Sequence, residues 1–107
     1  MDYLLGIDVG STSMKALLFD LDGNLVSSGS YPTESVAQDP KFPNWQVYYP
    51  EHIWDGISDA IKQAVSQINQ NDRIIAAAVT GLGADAVPLN GKGEPVYPFI
   101  NWLCTRT

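Results

Sequence analysis

The sequence predicts an α/β fold, with three strands, a helix and a fourth strand in the order βββ-α-β, followed by a further hairpin. Three observations carry that expectation. An almost unbroken apolar run opens the chain at residues 3–9, "YLLGIDV", the pattern of a strand covered on both faces. Asp22-Gly23 is a strong hairpin signal between two further apolar segments. One long stretch, 50–68, repeats its apolar residues at helical spacing.

Each element follows from its residues. After the first strand, "MKALLFDL" (14–21) reads as a second strand, and "NLVSSGSYP" (24–32) returns from the Asp22-Gly23 turn as a third. Together they make an antiparallel meander. Residues 31–50 hold Pro32, Pro40, Pro43 and Pro50 and show little periodicity, so an irregular surface excursion is expected there. In the helical stretch Ile53, Trp54, Ile57, Ile61, Ala64, Val65 and Ile68 fall on one face. Pro50 suits the first helical position and Glu51 the positive end of the helix dipole. Asn69–Asp72 ends it. "RIIAAAVTG" (73–81) reads as another buried strand, and "AVPLNGKGEPVYP" (86–98) as a hairpin around Asn90-Gly91. This order is the first half of a ribonuclease H-like layer, the unit that actin-like ATPases use twice.

Composition narrows the function classes. The 107 residues are 45% apolar and 17% charged, ordinary for one small globular domain or a piece of a larger one. Six basic residues against twelve acidic give a net charge of −6, with the basic ones scattered. That argues against a nucleic-acid or anionic-membrane partner, which demands clustered Lys and Arg. Cys104 is the single cysteine, so no internal disulfide can form, and a reducing cytoplasm is the expected location. The N-terminus lacks a basic leader, and its apolar run is too short for a signal peptide or membrane span.

The chemistry concentrates in "GIDVGSTSMK" (6–15). Asp8 falls at the carboxyl end of the first strand, where open α/β sheets place ligands. Gly10 permits close backbone approach and a positive φ. Ser11, Thr12 and Ser13 add hydroxyls beside successive N–H groups in a tight turn, an anion-binding concavity, and Lys15 adds a positive charge. A carboxylate able to hold Mg²⁺ beside donors for phosphate oxygens is sound phosphoryl-transfer chemistry.

"GIDVGSTSMKALLFDLDGNLV" resembles the first phosphate-binding hairpin of the FGGY carbohydrate kinases, within the actin/Hsp70/sugar-kinase superfamily. Two more segments resemble that family in the right order. "NWQVYYPEHIW" (44–54) is similar to G-W-x-E-Q-D-P-x-x-I-W, and residues 79–107 are similar to the segment that reaches the sugar. The Gly83-Ala84-Asp85 triplet is most similar to the G-V-D of the L-fuculokinase and rhamnulokinase branch.

The resemblance implies ATP-dependent phosphorylation of a ketose, deoxyketose or polyol. Gly10, Ser11, Thr12, Ser13 and Lys15 would meet the ATP phosphates and Asp8 the Mg²⁺. Ala84, Asp85 and Trp102 would help seat the sugar, Asp85 because an ionised carboxylate accepts several O–H donors. It also implies a homodimer in the full-length protein and a catalytic aspartate downstream of residue 107. Residues 1–107 are then the leading portion of the first kinase domain, with little turnover alone and no catalytic base of their own.

Departures from the family pattern are specific. Tyr49 stands where Asp would cap the helix, so a weak helix start is expected. Cys104 replaces a common Asp and reads as a packed thiol, and His52 reads as a solvated surface residue. Two other classes share the fold. A ribonuclease H-like metal-dependent nuclease would need more converging carboxylates, and a non-catalytic ATPase-like module would leave the sugar-side segment without a purpose.

Overall fold

The structure, a computed structural model, describes residues 1–83, 85–101 and 104. Its main sheet has four strands: β1 (Asp2–Val9), β2 (Ser13–Phe19), β3 (Leu25–Pro32) and, after the helix, β6 (Arg73–Gly81). Spatial order is β3-β2-β1-β6, with β1–β2 and β2–β3 antiparallel and β6 parallel to β1. The expected meander is therefore present, and the helix supplies the crossover that brings β6 back alongside β1.

The Asp22-Gly23 turn takes a longer form than a two-residue hairpin. Asp20 N–H donates to the Asn24 carbonyl at 3.0 Å, Gly23 N–H donates to the Asp20 carbonyl at 3.1 Å, and Gly23 has φ 87°. The Asp20 carboxylate accepts the Asp22 and Asn24 N–H groups. This is a type I turn closed by a left-handed glycine. The second glycine turn repeats it: Asn90 takes the place of Asp20, and Gly93, not Gly91, carries the positive φ of 78°. The expected hairpin at 86–98 is reduced to a single bridge, Leu89 with Pro95, because Pro88 and Pro95 have no N–H to extend a ladder.

Helix α1 (Pro50–Val65) starts with Pro at its first turn and no side-chain cap from Tyr49, as the sequence predicts. Its buried residues are Ile53, Gly56, Ala60 and Ala64. Trp54, assigned to the apolar face from its spacing, is 70% exposed, and Val65 is exposed too. The contact face is one of small residues, and these let the helix lie close: a Cβ on Gly29 of β3 would come 2.1 Å from the Ala60 carbonyl oxygen. Tyr3, Leu5, Ala16 and Leu18 fill the core beneath Ala60 and Ala64. Met14, Tyr48 and Ile53 form a second cluster nearer the helix start.

The excursion at 31–50 is more ordered than expected. β4 (Val36–Ala37) and β5 (Gln46–Tyr48) pair antiparallel, and β7 (Phe99–Ile100) adds to β5 to complete a three-stranded sheet. The strand at 73–81 forms with the expected bounds, but every residue of it is exposed. It lies at the sheet edge, and α1 covers β2 and β3 instead. Among the described residues no helix is long and apolar enough to cross a membrane.

Candidate functional site

The carboxyl ends of the two parallel strands, β1 and β6, frame an open cleft of about 460 Å³. Asp8, Val9, Gly10 and Ser11 line one side of it, and Thr80, Gly81, Leu82 and Gly83 the other. Strand register explains the meeting, since Asp8 is level with Thr80 and Val9 with Gly81. The two chains are close enough that a Cβ on Gly81 would come 2.6 Å from the Val9 carbonyl oxygen. Only glycine fits there.

The turn between β1 and β2 is held from within. Gly10 N–H donates to the Ser13 carbonyl at 3.0 Å. The Thr33 hydroxyl donates to the Gly10 carbonyl at 2.8 Å, and Thr33 N–H to the Thr12 carbonyl at 2.9 Å. Gly10 does not use the positive φ that its sequence context allows; among the described residues only Gly23 and Gly93 do. Its requirement is steric, because an added Cβ would sit 2.7 Å from the Ser13 carbonyl oxygen. The Ser11 and Thr12 side chains are left exposed at the turn.

The structure thus brings Asp8, Gly10 and Ser11 into one cleft and sets the other expected phosphate contacts beside it. Thr12 and Ser13 lie on the same turn without lining the cleft. Lys15 is the direct cross-strand neighbour of Asp8, yet it opens onto a different depression, with Leu17, Ser28, Ser30 and Gln63. Sequence reasoning missed Thr80, Gly81 and Gly83 as cleft residues. Their signal was a second strand ending in a glycine-spaced turn, "VTGLG", which parallels "IDVGS".

Asp85, expected from the sequence to contact the sugar, is half-buried, with both carboxylate oxygens shielded from solvent. Ala84 and Trp102, the other expected sugar contacts, lie outside the described residues. Cys104 is buried, as expected of a packed thiol. His52 is not the solvated residue its position suggested: its ring meets Tyr31 edge-on at 5.8 Å and its Nε2 is out of solvent.

Mg²⁺ commonly takes one or two carboxylates and completes its shell with water and substrate phosphates. Asp8, half-buried at the rim of an open cleft, fits that donor set. Among the described residues no three His, Cys, Asp or Glu side chains gather into a closed metal cage.

Comparisons with known proteins bear on the family and fold of the chain. The model of the FGGY family of carbohydrate kinases, N-terminal domain, matches residues 3–107. The chain is 36% identical over 106 residues to a glycerol kinase of Thermococcus gammatolerans, covering 98% of this chain and 21% of that protein. It is 38% identical over 108 residues to a glycerol kinase of Leifsonia xyli subsp. xyli, covering 99% and 21%. Among solved structures, a xylulose kinase from Rhodospirillum rubrum superposes with a TM-score of 0.85 at 27% identity, over 97% of this chain and 21% of that one. Plasmodium falciparum glycerol kinase with ADP superposes with a TM-score of 0.82 at 23% identity, over 99% and 21%. The chain spans about a fifth of the length of the curated relatives it matches.

Proposed function

Because this chain belongs to the FGGY family of carbohydrate kinases, whose ribonuclease H-like fold it shares, we propose that the polypeptide carrying it transfers a phosphoryl group from ATP to a hydroxyl of a polyol or sugar. The observation that supports this most directly is the cleft at the paired ends of β1 and β6, with one carboxylate, Asp8, at its rim. In this reading Asp8 holds Mg²⁺, directly or through water, and the bound ion supplies charge neutralisation at the phosphates. Gly10 and Ser11 provide a wall that phosphate can approach closely, and the exposed Ser11 and Thr12 hydroxyls are available to its oxygens. Ser13 closes the turn, and Lys15 contributes field from the adjacent strand. Asp85, with Ala84 and Trp102, belongs to the acceptor side.

The named relatives and structural neighbours include glycerol, xylulose and gluconate kinases, so the acceptor is a polyhydroxylated small molecule. The test is an ATP-dependent panel on the full-length polypeptide with glycerol, D-xylulose, D-gluconate, L-fuculose and L-rhamnulose. Turnover of at least one is expected, and ADP release with none of them overturns the reading. In the same assay Asp8→Asn should cut turnover by about 10²-fold or more while leaving the melting temperature nearly unchanged. Near-normal turnover would remove Asp8 from the mechanism.

A further inference from the structure

Between the first residue of β6 and its last, only Thr80 carries a polar side chain. Arg73, at the strand start, is held by the Asp2 carboxylate. Thr80 stands one residue from the other end, level with Asp8. Strand formation does not ask for a hydroxyl there, since Val is at least as good a strand former as Thr.

Strand pairing decides which way Thr80 faces. Register partners on adjacent strands share a sheet face, and successive residues alternate. Val9 packs against the cluster of Met14, Tyr48 and Ile53, on the α1 side, and a Cβ on Gly81 would come 2.8 Å from the Val9 Cβ. Asp8 and Thr80 therefore share the face turned away from α1. Lys15 pairs with Asp8 from β2, which sets ammonium, carboxylate and hydroxyl in one row across β2, β1 and β6. The next register pair down this face is Gly6 with Ala78, which carry little or no side chain.

Asp8 and Thr80 both line the cleft, and neither side chain has a hydrogen-bond partner among the described residues. Adjacent strands stand about 4.8 Å apart, a spacing that one water molecule can bridge. The carboxylate also lies toward the turn, since a Cβ on Gly10 would be 3.9 Å from the Asp8 Oδ1. Carboxylate and hydroxyl thus open onto the same space from two different strands.

We propose that Thr80 is a second contact for the hydrated Mg²⁺ of the nucleotide: Asp8 attracts the ion by charge, and the Thr80 hydroxyl accepts a hydrogen bond from one of its waters. Mg²⁺ dehydrates reluctantly and keeps several waters, so a neutral oxygen one water away can still orient it. The proposal rests on the reading of Asp8 as the Mg²⁺ carboxylate, and the experiment separates the two. Thr80→Val removes the hydroxyl and keeps the branched shape, whereas Thr80→Ser keeps the hydroxyl.

Both variants and Asp8→Asn are made in the full-length polypeptide. Binding of the non-hydrolysable analogue β,γ-imido-ATP is measured by calorimetry with Mg²⁺ and again with EDTA. With Mg²⁺, Thr80→Val should bind about tenfold more weakly than the parent, and Thr80→Ser within about twofold of it. With EDTA, Thr80→Val and the parent should bind alike. Asp8→Asn should lose most of the affinity that Mg²⁺ adds.

Parental affinity of Thr80→Val with Mg²⁺, beside a loss in Asp8→Asn, overturns the Thr80 contact and leaves the Asp8 reading standing. An undiminished Mg²⁺ effect in Asp8→Asn overturns both. Equal weakening of Thr80→Val with Mg²⁺ and with EDTA, or weakening of Thr80→Ser to the same degree, assigns the effect to the shape of the strand end and also overturns the proposal. Should Thr80→Val fail to fold, Thr80→Ala takes its place with the same expectations.

Discussion

The main sheet has two edges, β3 and β6, similar in length and finished in opposite ways. Along β3, side chains of α1 and of the turn that follows it stand in for a neighbouring strand. The Gln63 amide accepts the Ser30 N–H at 3.2 Å and donates to the Ser30 carbonyl at 2.9 Å. Gln67 donates to the Ser28 carbonyl at 3.0 Å, and the buried Ser27 hydroxyl donates to the Ala64 carbonyl at 2.8 Å. Along β6 all nine residues are exposed, Val79 as much as 68%. What fastens β6 on its inner side is β1 and a clamp at the strand start. Arg73 N–H donates to the Met1 carbonyl, the Arg73 guanidinium grips both Asp2 oxygens at 2.9 and 3.0 Å, and the N-terminal amine meets Asp72 at 3.0 Å. The path of one helix decides which edge is closed. An open, apolar, charge-poor edge is a template for further pairing, whereas a capped one is not.

The largest effect expected from this contrast is at Gly29. Its Cβ would strike the Ala60 carbonyl and Gln63, so Gly29→Ala should force α1 off the β3 edge and cost about 1–3 kcal/mol or more in urea unfolding. A neutral result would mean that the helix does not press on that edge. Next, Tyr49→Asp gives α1 the cap it lacks and should add about 1 kcal/mol, seen as a raised melting temperature. Gln63→Ala uncaps Ser30 and should cost about 1 kcal/mol or somewhat less, since Ala favours helix. Its sharper readout is earlier aggregation on heating, and unchanged aggregation would show that the amide does not guard the edge.

The smallest effect belongs to the β6 clamp. Hydrogen bonding to Arg73 holds the Asp2 carboxyl below its ordinary value of 3.8, and the N-terminal amine does the same for Asp72. For a carboxyl lowered in the folded state, the stabilisation is present above the unfolded value and fades as pH falls through the folded one. Asp2→Asn should therefore shift the melting temperature slightly at pH 7 and leave it unaltered near pH 2. An equal loss at both pH values would assign the effect to packing instead of charge.

Much of this was legible in the residues. Apolar runs and the Asp22-Gly23 signal placed the meander, Pro50 placed the helix start, and the polar residues after β1 pointed to the cleft. Short strands escaped because β4, β5 and β7 hold two or three residues each and exist only through partners distant in the chain. Trp54 escaped because periodicity gives a face about 100° wide and cannot say that its middle will be Gly56 and Ala60, the residues that permit close approach. Burial of β6 was over-read among the described residues: the run IIAAAV is suited to cover on both faces, but α1 packs over β2 and β3, touches β1 less and leaves β6 bare. At the site, Asp8 was readable from strand position. The separation of Lys15 from the cleft was not, because it depends on strand register and on where Gln63 reaches round the edge.

The small sheet also orders events in time. β5 is complete by residue 48, yet the strand that pairs with it ends at residue 100, so about fifty residues must be synthesised between them. At some 5–20 residues per second that is an interval of several seconds, and the ends must then close a long loop. Tyr48 therefore emerges from the ribosome well before Asn101 does, and the small sheet cannot close until β7 has followed it.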